Sequence, residues 1–312
     1  MHETDTIFRK GSQMSDPIQH VIVLMMENRS FEQMLGALRS LYPELDGVGA
    51  YGKEWDSGMG YYPFGSLPVL HTLAQHFLIC DHWFLPRSGA ADSNPPRYDQ
   101  PTVYQRLEQQ GIAWKIYHHG IPESIKLTRQ WQYLDHYAEM DRFFADTRQT
   151  ATRFPQYCFI EPGYTGEDEN TPYPPNEMVN GEALIAQIYN ALRANEALWQ
   201  STLFVLLYGE QTGFQDAPSS PGARVPALLI SPWVRRGVLA AEFDHTSLLR
   251  YVSDKWQLGP LGQRVAGANS FADELAIRQS PRTDTPIHLK PPPTSPLPVS
   301  AATLRQHATG KS

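Results

Sequence analysis

The sequence predicts an α/β protein, a three-layer α/β/α sandwich around a central, mostly parallel sheet. Two observations carry this expectation. Short continuous apolar runs suit strands buried on both faces, and amphipathic helix patterns alternate with those runs along nearly the whole chain. The first run, HVIVLMM at 20–26, is a core strand. Ser30 behind it is a plausible N-cap for a helix over 31–38. Helices are predicted over 69–77 and 102–110, with strands at 114–117 and 156–160. The region 182–199 is the strongest helix pattern, with Leu184, Ile185, Ile188, Leu192 and Leu198 close to a 3.6-residue period. It feeds the buried run TLFVLLY at 202–208, followed by a strand over 227–231 and a helix over 246–256.

A length of 312 residues with 41% hydrophobic content suits one sizeable core and leaves two domains cramped. The expected division is a flexible leader at 1–16, one domain at 17–277, and a Pro-rich extended tail at 278–312. The net charge of -7 gives no electrostatic reason to expect nucleic acid or an anionic membrane, so a small organic molecule is the expected partner. Cys80 and Cys158 sit in apolar runs and read as core residues. No apolar run approaches the roughly 18 residues that span a bilayer, so the expectation is a cytoplasmic chain without membrane insertion. Oligomeric state is not legible.

In such sheets ligands bind beyond the C-terminal ends of the strands, where polar residues terminate apolar runs. Two such ends stand out, Glu27 with Asn28 and Gly209 with Glu210. Two acids there can share a cation or serve as acid and base. The competing reading is a helix N-terminus stabilised by its own acid beside a solvated loop.

Four blocks in order resemble the phosphoesterase family, the alkaline-phosphatase-like group that holds bacterial phospholipases C and acid phosphatases. They are HVIVLMMENRSFEQMLG at 20–36, MGYYPFGSLPVLHTLAQHFLICDHWF at 59–84, the stretch from PQYCFIEP to GEALIAQIYNALR within 155–193, and RVPALLISPWV with FDHTSLLR within 224–250. The resemblance implies the alkaline-phosphatase-like fold. It also implies a metal held by Glu27, Asn28 and a later Asp-Glu pair, with a Ser or Thr nucleophile beside it, a centre that neutralises charge on phosphoryl oxygens.

Several of the implied positions are altered. CDHWFLPRSGAADSNPPR at 80–97 places Ala91 where the hydroxyl belongs, with Ser88 and Ser93 as displaced substitutes and Asp92 beside them. YGEQTGFQDA at 208–217 puts Gly209 at the acidic ligand, Gln211 at a histidine and Ala217 at a second histidine, leaving Glu210 and Asp216. TPYPP puts Tyr173 at another histidine, and the insertion between the first two blocks has shrunk to the residues around 46–58.

Three readings follow. The first is a repurposed, metal-independent enzyme performing proton transfer, elimination, cyclisation or ester chemistry on an organic substrate. Glu27, Asn28 and Glu210 would be central, with Ser93, Asp92, Tyr173, His82, His118 and His119 as further candidates and Trp83 as apolar wall. The second is a non-catalytic binder of a ligand or partner. The third is a residual phosphoesterase with a shifted serine and a metal on Glu27, Asn28 and Glu210. Gln211, Asp244 and His245 are possible binding residues, with a capping role competing at the last two. No cofactor is expected under the first reading.

Overall fold

The computed structural model describes residues 16–47, 60–85, 101–164, 178–209, 222–276 and 278–293. The strands are β1 (His20–Met26), β2 (Leu78–Phe84), β3 (Trp114–His118), β4 (Tyr137–Glu139), β5 (Tyr157–Glu161), β6 (Thr202–Tyr208), β7 (Ala227–Ile230) and β8 (Gly237–Asp244). They form one eight-stranded sheet in the order β4-β3-β5-β1-β6-β7-β2-β8. Every strand pairing is parallel except those of β7, which is antiparallel to β6 and β2. β7 thus enters the sheet from the end at which β6 left it. The central strand β1 pairs along its whole length with β6, and all of β6 is buried, as its unbroken apolar run requires.

The helices are α1 (Phe31–Leu35), α2 (Pro68–His76), α3 (Val103–Gln109), α4 (Met140–Asp146), α5 (Met178–Arg193), α6 (Glu196–Trp199), α7 (His245–Trp256), α8 (Gln263–Gly267) and α9 (Ala272–Ala276). α2, α5 and α6 pack together, as do α3, α7 and α8, giving the two helix layers of the sandwich. The helix expected over 182–199 begins earlier and breaks in two. Asn195 caps α6 by accepting the Leu198 N–H at 3.3 Å, while its amide donates to the Thr147 and Gln149 carbonyls at 2.9 and 2.8 Å. Those three bonds hold Asn195 in an extended conformation that no continuous helix allows.

Residues 278–293 carry neither helix nor strand, yet they dock on the domain through side chains. The buried Arg282 guanidinium donates to the His76 carbonyl at 2.6 Å. The Tyr189 hydroxyl donates to the Pro286 carbonyl at 2.7 Å, and Asn190 and Leu289 exchange bonds of 2.9 and 2.8 Å. Among the described residues no helix is long and apolar enough to cross a membrane.

Candidate functional site

The parallel strands share one C-terminal rim, and its centre is the junction of β1 and β6. The Gly209 N–H donates to the Met26 carbonyl at 2.6 Å, extending the ladder one residue beyond Tyr208 and setting Gly209 beside Glu27 and Asn28. Asn28 has φ +65°, a left-handed conformation that Asn tolerates better than most side chains. That residue turns the chain from β1 into α1, where the Ser30 hydroxyl accepts the Gln33 N–H at 3.2 Å. Asn28, Arg29 and Ser30 are buried and Glu27 is half-buried, so Glu27 is the acid of this turn that meets solvent.

Toward β5 the rim carries a second carboxylate that the sequence reading passed over. Glu161 closes β5 and is 1% exposed; its carboxylate accepts the Glu123 N–H at 2.6 Å and the Ser124 N–H at 3.2 Å. Burial pushes its pKa up in spite of those donors. The Tyr164 hydroxyl hydrogen-bonds to Glu161. Burial, with the nearby charges of Glu161 and Glu27, drives Tyr164 well above the ordinary tyrosine range, which keeps it a proton donor at neutral pH. Glu27, Tyr164 and Glu161 therefore form one acid-rich group across the ends of β1 and β5. The signal was available: an apolar run ending in an acid had singled out Glu27, and CFIEP ends the same way.

Behind the β1–β6 junction, Arg29 is 3% exposed and near enough to Tyr62 and Tyr208 to feel their charge, while burial lowers its pKa. The same side of β6 holds Glu182 of α5. Its two carboxylate oxygens accept the Val69 and Leu70 N–H groups at 2.7 and 3.0 Å, capping α2, whose own N-cap Leu67 offers no side-chain acceptor. Burial lifts the Glu182 pKa to about 7, above the 4.5 of a free glutamate. The folded state then holds this proton where the unfolded chain has released it, so this contribution is full below pH 4.5 and is lost as pH rises to 7. The loss amounts to roughly 3 kcal/mol. Urea unfolding at pH 5 and pH 7.5 checks this: the stability of wild type relative to Glu182→Gln is expected to fall by about that amount between the two pH values.

On the β2–β8 flank, the Asp244 carboxylate accepts the Thr246 N–H at 2.7 Å and the Thr246 hydroxyl, and the Asp244 N–H donates to Ser247 in return, a complete capping box for α7. His245 Nε2 donates to the Tyr208 carbonyl at 3.1 Å, and burial lowers its pKa, which favours the neutral ring. Both residues thus serve the α7–rim junction. A cavity of about 330 Å³ opens here, lined by Phe84, Leu85, Asp244, Thr246, Arg264 and Asn269 among others.

Two expectations are corrected. Trp83 is fully buried against Phe243, Phe271 and His245, so it is core and not the wall of a cleft. His82 is not brought to Glu27, because β7 and β6 separate β2 from β1. Its Nδ1 lies 2.9 Å from the Ala240 carbonyl, and its Nε2 lies 3.7 and 3.8 Å from Asp46 and Asp81. His118 and His119 end β3, two strands from β1; His118 Nδ1 bonds the Gly120 carbonyl at 2.7 Å and the His119 N–H donates to the Glu161 carbonyl at 3.2 Å. Ser88, Ala91, Asp92, Ser93, Tyr173, Glu210, Gln211, Asp216 and Ala217 lie outside the described residues.

Comparison with known proteins decides the family. The Phosphoesterase family model matches residues 88–259, more than half of the chain. This chain belongs to the phosphoesterase family. It is 27% identical to non-specific phospholipase C3 of Arabidopsis thaliana, covering 89% of this chain and 77% of that one. That alignment runs over 406 positions, more than this chain contains, so the relative carries insertions absent here. Hemolytic phospholipase C of Pseudomonas aeruginosa is 21% identical over 77% of this chain and 53% of its own. Among solved structures, an alkaline phosphatase superfamily protein from Vibrio parahaemolyticus aligns over 82% of this chain and 72% of its own, with a TM-score of 0.51 at 11% identity. The lipoteichoic acid synthase LtaP of Listeria monocytogenes aligns over 82% and 78%, at 0.52 and 9%. These two likenesses establish the alkaline-phosphatase-like fold.

Of the positions from which the phosphoesterase resemblance implies a metal would be held, Glu27 and Asn28 share the rim, while Glu210 and Asp216 lie outside the described residues. At the acidic position stands Gly209, where a Cβ would lie 3.4 Å from both Cγ and Sδ of Met25. Among the described residues, no group of three or more His, Cys, Asp or Glu is placed to share an ion.

Proposed function

We propose that this phosphoesterase-family chain is a metal-independent enzyme that performs acid–base chemistry on an amphiphilic ester at the Glu27 rim. The observation that carries the reading is the pairing of a lost acid at Gly209, flanked by Met25, with an acid–base group at Glu27, Tyr164 and Glu161. Half-buried Glu27 is the base, taking a proton from the attacking group and, as the acid it then becomes, returning it to the departing oxygen. Tyr164, held neutral, gives its one hydroxyl proton to Glu161 in the resting site and turns it toward developing negative charge during the reaction. The amphiphilic substrate class is supported by the names of the relatives, which are phospholipases C over 62–94% of this chain.

A second reading, hydrolysis of a phosphodiester with a rebuilt metal set that includes Glu210, is favoured by those same relatives. An aryl carboxylic ester and an aryl phosphodiester, each assayed with and without a chelator, separate the two. Chelator-insensitive ester turnover that drops about 100-fold or more in Glu27→Gln, with thermal stability unchanged, supports the proposal. Phosphodiester hydrolysis abolished by the chelator overturns it in favour of the second reading. Binding of a substrate analogue without turnover makes the cleft a ligand-binding site.

A further inference from the structure

Four of the seven large hydrophobic side chains exposed among the described residues fall within one fourteen-residue stretch: Ile121 at 82%, Ile125 at 37%, Trp131 at 56% and Leu134 at 50%. Ile121 lies just before, and the other three on, two 3₁₀ segments, Glu123–Lys126 and Thr128–His136, inserted between β3 and β4. Trp131 and Leu134 stand on either side of a kink at Tyr133, where the backbone leaves helical geometry (φ -124°, ψ 28°), and both side chains stay exposed. The Trp131 indole N–H donates to the Ile125 carbonyl at 2.9 Å, so the ring lies against Ile125 with its polar edge satisfied by the protein. We infer that this apolar face docks the enzyme onto a zwitterionic phospholipid surface. The inference rests on the reading that the substrate is amphiphilic.

Position, charge and area agree on that occupant. The face adjoins the proposed site, because Glu161 holds the Glu123 and Ser124 N–H groups, the start of the first turn, and Tyr164 spans from Glu161 toward Glu27. A lipid lying against Ile121 and Ile125 is thus one strand-end away from the carboxylates. The charges of the segment cancel, Glu123 and Asp135 against Lys126 and Arg129, in a chain that carries -7 overall. A neutral face on an acidic protein matches a zwitterionic headgroup layer and disfavours an anionic one. The four side chains offer on the order of 400 Å² of apolar surface, about half the ~800 Å² per partner of a stable protein interface. That area is small for a second copy and ample for shallow insertion of a Trp with aliphatic neighbours into a lipid interface.

The test is sedimentation of the full chain with phosphatidylcholine vesicles and with vesicles one-third phosphatidylglycerol, read without any turnover. Binding is expected on phosphatidylcholine, weaker by severalfold on the anionic vesicles at low salt, and at least tenfold weaker for Ile121→Ser/Trp131→Ser. These positions are exposed and the variant loses one hydrogen bond, Trp131 to the Ile125 carbonyl, so it should melt within a few degrees of wild type and turn over a short-chain, monomeric ester at the wild-type rate. Equal binding of variant and wild type, or no binding of wild type to either vesicle, overturns the inference. A light-scattering mass of two copies that falls to one in the variant overturns it in favour of self-association. Vesicle binding that persists with Glu27→Gln, while ester turnover is absent in every protein, leaves the docking surface standing and removes the proposed chemistry instead.

Discussion

Replacing Arg224 with methionine is expected to cost about 3–5 kcal/mol of unfolding free energy, the loss that follows from stranding buried charge. Arg224 is 3% exposed and donates to Glu32 at 3.0 Å, to Asp81 Oδ1 at 3.1 Å and to the Asp46 carbonyl at 2.7 Å. Its guanidinium lies 4.2 Å from the centroid of the Phe31 ring, and its own carbonyl accepts the Phe31 N–H at 3.0 Å. One side chain thus ties the approach to β7, the middle of β2, the segment before residue 48 and the start of α1, and it positions α1 behind the Glu27 turn. Burial pushes the Asp81 carboxyl up even with Arg224 and the Asp46 N–H beside it. Without Arg224, Asp81 and Glu32 can relieve their repulsion only by taking up protons. The deficit of Arg224→Met should therefore shrink between pH 7 and pH 5. Arg224→Lys should recover only part of it, because a single ammonium cannot serve Glu32 and Asp81 in fork geometry. Urea unfolding of the three proteins at both pH values measures this. A loss below 1 kcal/mol at pH 7 would mean that both acids are already neutral in the folded protein.

How much of this was legible depended on whether the relevant physics is local. β1 and β6 were readable because a strand buried on both faces must be apolar throughout. β8 was not, because it is an edge strand with several exposed residues and an apolar run of only four, Val238 to Ala241, and β4 is only three residues long. β7 was read as a strand over 227–231, but its antiparallel direction was invisible, since its composition is that of any buried strand and its direction depends on where the preceding chain returns. At the site, Glu27 and Asn28 lay where the strand-end rule put them. Glu161 was missed because the strand was ended one residue early, at Ile160. His82 and Trp83 were misplaced because strand order is not written in local sequence: β2 follows β1 in the chain but lies three places from it in the sheet. Glu182, which caps a helix 112 and 113 residues away, has no local signature at all.

If the Glu27 rim works without a metal, restoring an acid at Gly209 is expected to create divalent-ion binding there. The backbone permits it, since a Cβ at this position meets Met25 and the Met26 carbonyl only at ordinary contact distances of 3.4 to 3.6 Å. Gly209 is partly exposed at the rim, so the new carboxylate retains water on one side and its desolvation cost is small. Gly209→Asp then adds a second carboxylate beside Glu27 and Asn28, the oxygen-rich set that hard cations favour. Held at 100 times its dissociation constant, an ion that binds only the folded state stabilises it by about 2.7 kcal/mol. The variant should gain that stability in millimolar manganese, and Gly209→Asp/Glu27→Gln should lose most of the gain, while wild type stays within about 0.5 kcal/mol of its metal-free value. If wild type itself responds by as much as the variant, residues beyond those described already complete a metal centre, and the metal-independent reading of the Glu27 rim fails. A response confined to the variant ties the loss of the ion to the single position where the phosphoesterase pattern and this sequence part, and leaves Glu27 free to act as a base.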